Sequence, residues 1–114
     1  PADQVAKARG QFDWGQLVVV VLSSPKPSEK VPVSEQILSA GALCLGLVNA
    51  AEAAGWGANW LSGWPSHDPA FIARAYGATE GETVAGMIHI GTAGAEGADR
   101  PRPDPARIVT WVET

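Results

Sequence analysis

The chain has 114 residues, 46% of them hydrophobic and 18% charged, with a net charge of −4. This is the composition of one folded domain rather than a disordered chain, and the acidic balance excludes the basic surface that non-specific nucleic-acid binding needs. No stretch is expected to reach the ~20 unbroken apolar residues of a membrane span, and the single cysteine, Cys44, has no partner for an internal disulfide, which fits a reducing, cytoplasmic setting.

Residues 2–9 (ADQVAKAR) read as a short polar helix closed by Gly10, a glycine at the position after the last turn. "LVVVVL", 17–22, is an unbroken β-branched run. A strand without alternation is normally covered on both faces, so this one is expected at the centre of a sheet. "SSPKPSEKVP", 23–32, is a loop. Its prolines suit neither a helix nor a strand.

Ser34 is placed to cap the next helix, and Glu35 lies where the positive end of the dipole favours a carboxylate. From Ile37 to Ala54 the side chains are apolar nearly all round, Asn49 and Glu52 being the clear exceptions. A helix on the surface of a domain shows one apolar stripe, so this one should be buried on more than one side. A chain of this size has little interior to surround it, and a second subunit is the simpler cover. Ala40, Gly41, Cys44 and Gly46 would let two backbones approach closely there. Gly55 and Gly57 stop the helix around Trp56.

"ANWLS" then reads as a short strand. "HDPAFIARAYGA" opens on Asp68 as cap and Pro69 at the first helical position, and ends near Gly77. "ETVAGMIHIGT", 82–92, is a strand with Val84, Gly86, Ile88 and Ile90 on one face. After a Gly/Ala loop and "DRPRPDP", the alternation in "RIVTWV", 107–112, predicts a last strand. Helices and strands in this order make an α+β or mixed-sheet domain.

No catalytic set assembles from these residues, and no catalytic acid or base is assigned. Ser62 is not in a nucleophile elbow, and no phosphate-cradling glycine loop of the nucleotide-hydrolase type is present. His67, His89 and Cys44 lack metal-ligand spacing, so no metal is expected. Cys44 reads as a buried small apolar residue, His67 as part of a helix cap, and His89 as a structural histidine within its strand. Two features could serve one ligand. "NWLSG" offers backbone polar groups at a strand end among three indoles, Trp56, Trp60 and Trp64, and suits a planar polar ring as well as it suits a core. "RPRP" holds Arg100 and Arg102 on a stiff segment that suits a phosphate or a solvated loop. Together they suggest a mononucleotide.

The runs "GALCLGLVNAAEAAGWGANWLSGW", "DPAFIARAYGATEGETVAGMIHIGT" and "RPRPD" resemble the C-terminal part of the nitroreductase-like flavoproteins, over nearly the whole chain from Val18 onward. The resemblance implies a mixed or antiparallel sheet flanked by helices, with residues 1–114 as the C-terminal portion of one domain. About 70–80 further residues would precede it, given ordinary domain sizes. It also implies FMN as cofactor, NAD(P)H as co-substrate, a nitroaromatic or quinone-type electron acceptor, and a homodimer with flavin at the interface. Covering by an N-terminal fragment of the same domain is the other possible partnership. Trp60, Leu61, Ser62 and Gly63 match the segment along the flavin ring, and Arg100 or Arg102 the residue at its phosphate. Trp56 and Trp64 are left as packing, and "RIVTWV" would add to the partner's sheet. The usual arginine-rich N-terminal segment has no counterpart here, which keeps open a non-enzymatic flavin-binding or dimeric scaffold role.

Overall fold

The computed structural model describes residues 1–13 and 15–114. In chain order the elements are α1 (Ala2–Gly10), β1 (Leu17–Ser23), α2 (Val33–Ala53), β2 (Gly57–Leu61), α3 (Trp64–His67), α4 (Pro69–Tyr76), β3 (Thr83–Gly91) and α5 (Pro105–Ile108). This is the expected α+β class. The three strands form one antiparallel sheet in the order β1-β3-β2.

The centre of that sheet is β3, and the β-branched run of β1 stands beside it rather than in the middle. The reason lies in the neighbours. Consecutive residues Met87 and Ile88 of β3 are both fully buried, which requires cover on both faces. Along β1, Val18 to Val20 stay half-buried. A bulge between Val21 and Leu22 sets Val21 opposite Gly86 and Leu22 opposite Val84.

Cross-strand partners share a face, so the register sorts the side chains into two layers. On one face Val19, Val21, Ile88 and Ile90 meet Cys44, Leu47 and Val48 of α2. On the other face lie Met87 and His89, beneath a cluster of rings. Phe71 meets Trp64 edge-on at 4.6 Å and Tyr76 edge-on at 5.5 Å, while Phe12 lies 6.5 Å from it. The Tyr76 hydroxyl donates to the Met87 sulfur at 3.4 Å.

The helix ends follow local chemistry with three corrections. Asp68 Oδ1 accepts from the Phe71 N–H at 2.8 Å, as a cap should. Gly77 closes α4 at φ +69. At the end of α2, Gly55 takes φ +89, the Trp56 N–H reaches the Ala51 carbonyl and the Gly55 N–H the Glu52 carbonyl. That is a Schellman closure. Ser34, however, lies inside the first turn of α2, because the helix already starts at Val33 after Pro32, with no side-chain cap. Gly10 is the last residue of α1 rather than its stop, since Gln11 keeps right-handed helical angles. "RIVTWV" is not a strand: Arg107 and Ile108 complete the turn of α5, begun by Asp104 accepting from the Ala106 N–H at 3.0 Å. Residues 109–114 form no regular element, because alternation makes a strand only where a ladder partner exists.

The 21 residues of α2 are long and apolar enough to cross a membrane by length and composition, although Ser39, Asn49 and Glu52 keep the apolar run from being unbroken. Here the helix lies on the sheet. Only Cys44 and Ala51 along it are buried, and Ile37, Leu38, Leu43 and Leu45 face outward, Leu38 at 72% exposure. The cover expected on its second side is not supplied by the described residues. The radius of gyration, 17.4 Å, exceeds the about 13 Å of a compact domain of this length.

Candidate functional site

Beyond Leu61 the chain turns at Gly63, whose φ of +124 is open to glycine and strained for other residues. The turn swings Trp64 into α3 and leaves the backbone of residues 61–63 along the lip of a cleft of about 610 Å3. That volume is in the range of small-molecule sites. The opposite wall is α1 and its following turn, through Gln4, Lys7, Ala8 and Gln11. Gln11 Nε2 donates to the Ser62 carbonyl at 3.4 Å, a long bond that ties the walls together. Trp64 closes one end. The floor is polar: Asn59 and His89 line it and are direct cross-strand partners.

His89 is the most constrained of these groups. Its ring lies 6.3 Å from that of Phe12, nearly parallel. Its Nε2 is buried and has no hydrogen-bond partner among the described residues. Burial pushes its pKa below the ordinary 6.5, so the imidazole is neutral at pH 7. A neutral ring carries one donor and one acceptor nitrogen, and an unmet polar atom of this kind is costly to bury.

Of the six residues singled out in the sequence, Leu61, Ser62 and Gly63 come together at the lip of the cleft. Trp60 does not join them, because in a strand its side chain points to the opposite face. Its indole lies over Gly86 of β3, with the far edge of the ring beside Gly41 of α2. Arg100 and Arg102 lie in the exposed segment after β3, outside the cleft lining. Arg102 reaches Asp99 at 3.5 Å, both side chains being largely in solvent.

The sequence alone does not point to Gln4, Lys7, Ala8, Gln11 or Asn59, and it gives His89 a structural and Trp64 a packing role, whereas both line the cleft. The alternation in β2 and β3 carries a signal for two of them: Asn59 and Leu61 share a face, and antiparallel pairing adds His89. The α1 wall has no such signal. Among the described residues no three His, Cys, Asp or Glu side chains are grouped to hold a metal ion. Cys44 is fully buried, and burial raises its thiol pKa, so it packs as an apolar residue.

Residues 3–92 match the model of the nitroreductase family. The chain is 31% identical over 108 residues to "Putative NAD(P)H nitroreductase YdjA" of Escherichia coli K12, covering 94% of this chain and 58% of that protein. It is 35% identical over 99 residues to "Putative NAD(P)H nitroreductase" of Haemophilus influenzae, covering 86% of this chain and 53% of that one. Among solved structures it superposes on a nitroreductase-like family protein from Bacillus cereus with a TM-score of 0.78 at 20% identity, over 99% of this chain and 61% of that one. A nitroreductase described as "putative" from Exiguobacterium sibiricum 255-15, solved in complex with FMN, gives 0.58 at 21% identity, over 96% of this chain and 46% of that one. The antiparallel α+β layer is thus shared with a known class, and the chain belongs to the nitroreductase family. It spans 58% of the length of its Escherichia coli relative.

Proposed function

We propose that the chain is part of an FMN-dependent oxidoreductase that takes hydride from NAD(P)H and delivers it to a small nitroaromatic or quinone-type acceptor. The observation that carries this reading is the cleft beside Leu61–Ser62–Gly63, with His89 among its lining residues and the Nε2 of that ring buried without a partner among the described residues. These residues fit a flavin. The lip offers N–H and C=O groups to a planar polar ring, and Leu61 and Trp64 offer apolar wall. Lys7 adds a cation at the α1 side. When bound, FMN would supply the hydride chemistry, and the protein position, electrostatics and exclusion of water. The names of the curated relatives and the FMN-bound neighbour support the same assignment.

Arg100 or Arg102 is proposed as the phosphate contact. Each is exposed on a proline-stiffened segment after β3, where it can turn towards an anion. The apolar outer face of α2 and the unpaired residues 109–114 are proposed to meet a second copy, making a homodimer. The lone buried cysteine suits a cytoplasmic location.

Two measurements test the reading. Protein reconstituted with FMN should show the absorption of a bound flavin and bleach on anaerobic addition of NADPH or NADH. Bound flavin that neither nucleotide reduces would replace the enzyme with a flavin-binding module. For the phosphate, a charge-assisted hydrogen bond contributes roughly 1.5–3 kcal/mol, which is about 10- to 150-fold in affinity. Either Arg100→Ala or Arg102→Ala should weaken FMN by that factor and leave riboflavin unchanged. Equal effects on both ligands, or none in either variant, would remove these arginines from the site.

A further inference from the structure

We infer that Asn59 and His89 form a hydrogen-bonding floor that recognises the imide edge of a flavin ring, the C=O, N–H, C=O sequence of its pyrimidine end. The inference rests on the flavoprotein reading above and goes beyond it by naming the contact and its chemistry.

Asn59 and His89 are direct partners across the β2–β3 ladder, so their side chains rise side by side on the face that carries the cleft. Both line it. A carboxamide presents one donor and one acceptor group close together, and a neutral imidazole presents one of each on opposite sides of the ring. An imide edge presents acceptor, donor, acceptor. Asn59 can therefore accept from the imide N–H while donating to one flanking carbonyl, and His89 Nε2–H can donate to the other. A fully apolar ligand would leave these groups unmet, and a phosphate would meet no cation on this floor.

The isolation of His89 Nε2 is the second observation. Among the described residues, it and Ser66 Oγ are the buried polar side-chain atoms without a partner. Buried polar groups in native proteins are nearly always paired, and an exception points to a missing partner. Burial also keeps the ring neutral at pH 7, the state that can donate to a carbonyl without adding a charge to the cleft. Nε2 is closed off in this structure, so a ligand reaches it only when the groups over it move aside.

The test uses the full chain and three probes: FMN, riboflavin and N3-methylriboflavin, whose methyl group removes the imide donor. Binding is read by quenching of flavin fluorescence. Riboflavin should bind the wild type about 10-fold more tightly than its N3-methyl derivative, the effect of one buried hydrogen bond. Asn59→Leu should weaken riboflavin and abolish that discrimination. His89→Phe, which keeps a ring beside Phe12, should weaken FMN and riboflavin by the same several-fold factor, unlike the arginine variants. Asn59 is exposed, so Asn59→Leu carries the test if His89→Phe fails to fold. If riboflavin and N3-methylriboflavin bind the wild type equally, or if Asn59→Leu retains the discrimination, the floor does not read the imide and the flavoprotein reading stands alone. A wild type that binds no flavin overturns both.

Discussion

Trp60 and Gly86 show how one residue choice dictates another. Trp60 lies opposite Ile88 in the ladder, and its indole extends diagonally across the face to cover Gly86. A Cβ built on Gly86 would overlap the indole Nε1 and sit 2.7 Å from Cδ1. Glycine at position 86 is thus a requirement of volume, not of backbone angle. Gly86→Ala should destabilise the fold by roughly 1–3 kcal/mol, the usual cost of overpacking, and shift the tryptophan emission as the indole moves. Gly46 is the control. Nothing lies within 4 Å of a Cβ built there, and it stands in the interior of α2. Within the single chain, Gly46→Ala should therefore be stabilising by about 0.5–1 kcal/mol through helix propensity. Chemical denaturation of both variants measures the contrast, and a neutral Gly86→Ala would mean that the indole is free to leave.

Among the elements, α2 does two jobs. Its inner face supplies Cys44, Leu47 and Val48 to the core, and its first turn holds the loop that precedes it. Gln36 Nε2 donates to the carbonyls of Lys26 at 2.9 Å and Val31 at 3.0 Å, while its Oε1 accepts from the Lys26 N–H at 2.8 Å. One carboxamide thus satisfies three backbone groups of a loop whose prolines rule out regular pairing. Each bond is worth roughly 0.5–1.5 kcal/mol net. Gln36→Ala should speed amide exchange at Lys26 by at least 10-fold, leaving the amides of Met87 and Ile88 protected. Uniform loss of protection across β3 would show instead that the loop is part of the core.

For the molecule as a whole, surface is the telling quantity. The chain exposes 9040 Å2, against about 5,900 Å2 for a compact monomer of its mass. The excess includes apolar ground: the outward leucines of α2, and Trp111 and Val112, both 86% exposed. Soluble monomers rarely leave contiguous apolar patches beyond a few hundred Å2. The protein should therefore be larger than a monomer at micromolar concentration by light scattering. Leu38→Glu, which places a charge on the outer face of α2, should shift it towards the monomer. A folded wild-type monomer at those concentrations would overturn this.

What the residues determine alone is what short-range chemistry controls. The Asp68 cap, the glycine turns at 55 and 77, the apolar span of α2 and the period of β3 each depend on neighbours within about a turn, and each was legible. The quoted motifs also carried the family. The lip Leu61–Ser62–Gly63 was legible as a strand end, since a strand that runs into a glycine turn must expose its backbone. Tertiary structure decided the rest. The ladder order put β3, not the valine run, at the centre, because centrality depends on which strands find partners. The alternation of β2 sent Trp60 under α2 and Asn59 into the cleft. Pairing with β3 then brought in His89, thirty residues away in sequence, and α1 supplied a wall that no local pattern announces. A side chain's face is set by the period of its own strand, but what that face meets is set by distant elements, and the site belongs to the second kind of fact.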